Sequence, residues 1–157
     1  MPCTTRIDVE ETKIDGELTI GGQYLHTPAF AVVDVTSLWL PPTYRGKDLL
    51  VPGTDGQTPL PRRRDLTTRS LPMVLDGRVD WNGTPYTNER MGIRTNLMRI
   101  RTGTGEPNAV SATLTAPGGL GAVRNAVCRV INVEIGERIG SLWTVMLDLE
   151  FPDGGFW

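Results

Sequence analysis

Between residues 141 and 151 the chain alternates without a break. Trp143, Val145, Leu147, Leu149 and Phe151 take one set of positions; Thr144, Met146, Asp148 and Glu150 take the other. A period of two is that of a β-strand with one buried face. Shorter runs repeat the pattern. Leu18-Thr19-Ile20 alternates and stops at Gly21-Gly22, a turn signal, after which residues 23–26 are expected to pair back. In residues 30–36 the alternation sets Ala31, Val33 and Val35 against Phe30, Val32, Asp34 and Thr36. Residues 64–79 read as a long strand or a bent pair that buries Leu66, Leu71, Met73, Val74 and Leu75. Pro72 inside it predicts an edge or a bulge. Residues 109–115 and 121–135 complete the strands, and Asp76-Gly77 and Asn82-Gly83 mark turns.

One segment has helical rather than strand periodicity. In residues 87–101, Ile93, Leu97 and Ile100 fall at i, i+4 and i+7. Met91 and Met98 are expected to widen this stripe, with Arg90, Arg94 and Arg101 turned outward. Thr87 or Asn88 supplies a cap, and Glu89 suits the first turn. Gly92 costs the helix about 1 kcal/mol relative to alanine, and Gly103 and Gly105 end it.

Residues 40–63 fit neither period. Pro41-Pro42, Pro52-Gly53, Asp55-Gly56, Pro59 and Pro61 exclude helix and central strand. A loop of this length inside a domain is usually functional, and Leu49-Leu50-Val51 is an apolar island that anchors it. Residues 1–17 are acidic and nearly aperiodic, and they read as an arm ahead of the domain. The expected fold class is mostly β, a β-sandwich or half-barrel with one flanking α-helix. One domain, residues 18–157, carries the long loop 40–63.

Composition supports this picture. The chain has 157 residues, 39% apolar and 22% charged, which is ordinary for one globular domain. The 18 glycines and 12 prolines punctuate it at short intervals, as many turns between short strands require. No apolar run approaches the length of a membrane span, and the first residues have no apolar signal segment, so folding in a cytoplasm is expected. Cys3 and Cys128 are far apart and are read as free thiols, although such a pair could bridge.

The residues offer little for catalysis. His26 is the one histidine, so any Ser-His-Asp or Cys-His set must use it; no nucleophile elbow accompanies it, and it reads as a strand or turn residue. One histidine and two distant cysteines make no zinc site. Gly118-Gly119-Leu120-Gly121 and Gly103-Thr104-Gly105 do not match a phosphate-binding loop and read as hairpin turns. Asp148 and Glu150 share a strand face, either as an acid–base pair, as a solvated face, or as the wall of a tube. No enzyme activity and no cofactor are expected.

Charge is uneven although the net is only −2. More than half of the basic residues lie between Arg62 and Arg101, against Asp65, Asp76, Asp80 and Glu89. From Val130 onward Arg138 stands against Glu134, Glu137, Asp148, Glu150 and Asp153. The Arg62-Arg63-Arg64 run suits nucleic-acid contact, an acidic patch on a neighbouring copy, or plain solvent.

Residues 44–56, Tyr44-Arg45-Gly46-Lys47-Asp48-Leu49-Leu50-Val51-Pro52-Gly53-Thr54-Asp55-Gly56, are followed by the arginine run. Leu71-Pro72-Met73-Val74-Leu75-Asp76-Gly77 comes next, and then the helix. This order resembles small minor tail proteins of long-tailed phages infecting actinobacteria, and the N-terminal domain of distal tail proteins; the element order recurs in tail tube proteins. The resemblance covers residues 44–77 as residues and 18–151 as element order. It implies a structural protein of the virion tail, made in the host cytoplasm, with copies forming a homohexameric ring around a DNA-conducting lumen. The implied partners are other copies and the tube, hub and tape-measure proteins; DNA passes without specific binding, and no membrane is involved. A full distal tail protein carries a second domain, whereas this sequence ends at Trp157, so a tube subunit, a tube-end ring or a stripped distal tail ring is expected. A head–tail connector or tail terminator ring, or a monomeric ligand-binding β-sandwich, are the alternatives. In a ring, Glu134, Asp148 and Glu150 are expected to face the lumen, because carboxylates repel phosphate. Asn132 would lie with them. The long loop, with Tyr44, Arg45, Asp48, Asp55, Arg62 and Arg63, is expected to meet neighbouring subunits.

Overall fold

The computed structural model describes residues 6–39, 66–116 and 123–156, together with the backbone of residues 44–45, 49–50, 57–58 and 63–64. It is mostly β, with two helices. The short helix α1 (Val9–Thr12) precedes strands β1 (Glu17–Ile20), β2 (Gln23–Tyr24) and β3 (Phe30–Val32). A 3-10 turn (Thr36–Trp39) leads to the two-residue strands β4 (Tyr44–Arg45), β5 (Leu49–Leu50), β6 (Gln57–Thr58) and β7 (Arg63–Arg64). Then come β8 (Thr67–Leu75), α2 (Glu89–Gly103), β9 (Ala109–Thr115), β10 (Val123–Ile139) and β11 (Leu142–Phe151).

Seven strands form one antiparallel sheet in the order β2-β1-β9-β10-β11-β8-β3. Its two ends meet. The Leu25 N–H donates to the Leu18 carbonyl at 3.1 Å, the Val32 N–H donates to the Leu25 carbonyl at 2.9 Å, and His26 bridges Ala31. The sheet therefore curls around a single core of Leu18, Ile20, Phe30, Leu71, Leu114, Val130, Leu147 and Phe151, all nearly or wholly excluded from solvent. Phe156 closes the core edge-on against Phe151, their ring centroids 5.3 Å apart.

The alternation in β11 is as read: Val145, Leu147, Leu149 and Phe151 are buried, while Met146 is exposed. Gly21 and Gly22 turn β1 into β2 with φ of 58° and 84°, a region open to glycine at no steric cost. Strand β3 differs from the expectation. It is only three residues long and all three are buried. One face meets the core and α1 lies over it, so two-sided cover removes the pattern that alternation assumes. Val33, expected with Ala31 and Val35, is exposed. Leu66, expected inside, is also exposed; β8 starts one residue later.

Pro72 lies within β8, between β11 and β3, rather than on an edge strand. Its carbonyl accepts from the Val33 N–H at 3.1 Å, so its nitrogen faces the β3 side, where β3 has just ended. The missing N–H thus falls opposite Val33, leaving that pair a single hydrogen bond just past the end of β3.

Helix α2 starts two residues later than expected, at Glu89. Asn88 is the cap, its Oδ1 accepting from the Arg90 N–H at 2.9 Å. The most buried positions are Gly92, Asn96 and Ile100, with Ile93 and Leu97 half-buried beside them. Met91 and Met98 are exposed at 57% and 53%, contrary to the wider stripe expected. Asn96 explains the rotation. Its Nδ2 donates to the carbonyls of Asp76 at 2.8 Å and Val79 at 3.0 Å, and its Oδ1 accepts from the Tyr86 hydroxyl at 3.1 Å. These bonds pin the helix to the turn after β8, where Arg78 also holds the buried Asp76 carboxylate at 2.9 Å. Leu97→Ala should cost about 1–2 kcal/mol, less than a fully buried leucine, because the side chain is only half-covered. Chemical denaturation measures this directly.

The segment after β3 is not wholly irregular. Tyr44–Arg45 pairs with Arg63–Arg64, and Leu49–Leu50 pairs with Gln57–Thr58, both antiparallel. Of the expected strand-breaking residues, Pro52, Gly53, Asp55 and Gly56 fall between β5 and β6 in sequence and Pro59 and Pro61 between β6 and β7; all lie outside the described residues. Gly103-Thr104-Gly105 was expected as a hairpin turn but joins α2 to β9, with φ of 77° at Gly105. The segment 118–121 connects two antiparallel neighbours, β9 and β10, and itself lies outside the described residues.

Residues 6–16, expected as an arm, carry α1 against β3, and Glu17 already belongs to β1. Asp8 caps α1 by accepting from the Glu11 N–H at 3.3 Å.

Candidate functional site

The surface with the most ordered polar chemistry is the side of β8, β11, β10 and β9 that faces away from the core. Register fixes its members. Asn132 stands opposite Asp148, Glu134 opposite Met146, and Arg129 opposite Glu150 across β10 and β11. Ser70 stands opposite Asp148 across β11 and β8. The three carboxylates expected to share a face do share it. They lie opposite the buried set Val145, Leu147 and Leu149, as period-two geometry requires.

Two cross-strand connections run over this face. Asp148 accepts from the Ser70 hydroxyl at 2.6 Å and from Asn132 Nδ2 at 3.3 Å, so one carboxylate ties β8, β11 and β10 together. Glu150 forms an ion pair with Arg129. Further along, the Thr113 hydroxyl donates to Asn125 Oδ1 at 3.1 Å, joining β9 to β10. Sequence reasoning missed Arg129 and Ser70 as members. Counted back from Asn132 or Glu134, Arg129 falls on this face only when the bulge between Val130 and Asn132 is known.

Beyond this polar patch β10 loses a neighbour. Strand β9 pairs with β10 only from Val123 to Arg129. From 131 to 139 β10 pairs with β11 alone, and among the described residues no strand lies on its other side. Ile131, Ile135 and Ile139 in that stretch are 44%, 36% and 63% exposed.

The other expected site residues divide. Tyr44, Arg45 and Arg63 take part in a backbone ladder; Asp48, Asp55 and Arg62 lie outside the described residues. His26 and Cys128 are both held in the interior. His26 is buried. Its Nε2 accepts from the Leu18 N–H at 3.0 Å, in place of a main-chain acceptor that β2 no longer supplies. The Thr12 hydroxyl donates to the Val9 carbonyl at 2.7 Å, so its oxygen receives the proton on His26 Nδ1 at 3.2 Å. The imidazole is thus neutral, and burial pushes its pKa down to about 4. Cys128 is buried and free, and burial pushes its thiol up to about 12, which makes it inert. Among the described residues no group of three or more His, Cys, Asp or Glu is arranged to hold a metal ion. None of the described helices is long and apolar enough to cross a membrane.

No protein-family model matches the sequence, and no curated protein matches it. The fold is similar to the crystal structure of the SPP1 Dit protein, presented as a paradigm of the hub adsorption apparatus in phages infecting Gram-positive bacteria. The TM-score is 0.57 at 14% identity, and the match covers 88% of this chain and 50% of that one. The chain spans about half the length of that structure, and at this identity the likeness is one of fold.

Proposed function

We propose that this chain is a structural subunit of a phage tail that assembles as a homohexameric ring, a distal-tail, minor-tail or tube ring, around a channel for DNA. The observation that carries the reading is the edge of β10 over residues 131–139, on which no other strand lies among the described residues, beside an ordered polar sheet face. A strand edge with exposed isoleucines calls for another strand. When copies add edge to edge, the sheet face becomes a continuous wall. The fold shared with the Dit protein supports the same reading.

On that wall Glu134 and Asp148 present negative charge, and Arg129 is engaged by Glu150. Such a surface repels phosphate, and among the described residues it presents no free cation to hold it, so DNA would slide through without a sticky site. The role is structural, without catalysis or cofactor. Its partners are other copies and the adjoining tube, hub and tape-measure proteins, and its place is the virion tail.

The test is the mass of the purified chain over a wide concentration range, with negative-stain imaging. Rings of six copies, about six times the 17.2 kDa monomer, are expected. A monomer at every concentration removes the ring reading and favours a ligand-binding sandwich.

A further inference from the structure

We propose that the outward face of α2 in one copy docks on the acidic N-terminal segment of the next copy, an inference that rests on the ring reading and names two surfaces that meet in it. Met91, Arg94 and Met98 lie at i, i+3 and i+7, one line along the solvent side of α2, with Arg90 beside them. Both methionines are more than half exposed. Arg101 is committed to Glu106 at 3.1 Å and Arg99 lies over Trp81 at 4.6 Å, but Arg90 and Arg94 have no ion-pair partner among the described residues. The surface is adaptable apolar area flanked by unneutralised guanidinium groups.

The chain carries the matching surface elsewhere. Residues 6–17 hold Asp8, Glu10, Glu11, Asp15 and Glu17 against Arg6 and Lys13. Lys13 is occupied by Glu10 at 3.3 Å and Glu17 at 3.8 Å. Glu11 and Asp15 are exposed without a cation among the described residues, and Ile14 between them is 63% exposed. Residues 6–17 have three more acids than bases; residues 87–103 have three more bases than acids. Each patch therefore joins exposed apolar area to unpaired charge, and the signs are opposite. An apolar centre with complementary charges around it is the usual anatomy of a specific contact. Because the patches differ, the contact repeats head to tail, the arrangement that closes rings.

Charge reversal with rescue tests this. Arg90→Glu with Arg94→Glu should raise the concentration needed for ring formation by roughly tenfold or more at low salt. Glu11→Arg with Asp15→Arg should do the same. An equimolar mixture of the two variants should recover wild-type assembly, since every contact in an alternating ring is again between opposite signs. All four positions are solvent-exposed, and unchanged denaturation midpoints will show that the variants fold. If wild type forms rings and both variants form them equally well, the inference falls and the ring reading stands. If wild type never self-associates, both fall. If the α2 variant assembles normally but loses retention on duplex DNA, α2 is a phosphate-binding face and the inference is overturned.

Discussion

Gly92→Ala will destabilise the protein by about 3 kcal/mol, although alanine is the better helix former. Helix α2 approaches the turn after β8 so closely that a Cβ at Gly92 would lie 1.9 Å from the Gly77 carbonyl oxygen and 2.6 Å from Tyr86 Cδ2. The contact is reciprocal: a Cβ on Gly77 would lie 2.4 Å from Ile93 Cγ1 and 2.9 Å from the Glu89 carbonyl oxygen. The obstacle at Gly92 is main chain, which cannot rotate away, so the helix must move as a body. Moving it breaks the Asn96 bonds to Asp76 and Val79 as well. Propensity and sterics predict opposite signs here. A denaturant midpoint that rises by the roughly 1 kcal/mol expected of alanine in a free helix would refute the close approach; a fall of several times that size supports it.

Lowering the pH from 7 to 5 will destabilise the wild type by about 2 kcal/mol more than a His26→Gln variant. Unfolded, His26 titrates near its ordinary value of 6.5; folded, it titrates near 4. Above 6.5 both states are neutral and stability is independent of this group. Between 6.5 and 4 the unfolded chain takes a proton that the folded chain refuses, so stability falls as pH falls, to at most about 3 kcal/mol in all. The refusal is geometric. A proton on Nε2 would point at the Leu18 N–H, donor against donor. Glutamine keeps a neutral acceptor and does not titrate. Most exposed carboxylates protonate below pH 5, so the chosen window isolates the imidazole. Equal slopes for the two proteins in urea denaturation between pH 7 and 5 would dismiss this account.

The sequence was readable where one face of an element is buried and the other wet. Residues 143–151 satisfy that condition, which is why the alternation placed Asp148 and Glu150 correctly on the face away from the core. Strand β3 does not satisfy it, and no alternation of Phe30, Ala31 and Val32 could report a segment covered on both sides. In α2 the apolar spacing was real, but the line of closest approach runs through Gly92 and Asn96. Hydrophobic periodicity gives no weight to a missing side chain or to an amide whose three bonds reach residues 10–20 positions away in neighbouring turns. The same blindness hid Ser70 and Arg129, because their places depend on strand register and on a bulge in β10. The closure of the sheet through His26 and Ala31 joins segments whose partners are set by the whole topology, beyond any local pattern.

The edge of β10 over residues 131–139, which no other described strand covers, also bears on the behaviour of the single chain. A run paired on one side only among the described residues, with Ile131, Ile135 and Ile139 exposed, is the kind of segment that stacks indiscriminately into cross-β aggregates. Within it stand Glu134, Gly136 and Glu137, all exposed. Two carboxylates and a glycine dilute the β-propensity and charge the stack, acting as gatekeepers of the kind found beside unavoidable sticky strands. On the proposed reading, the same acids that would repel phosphate in a finished wall would also keep separate copies from stacking through this edge.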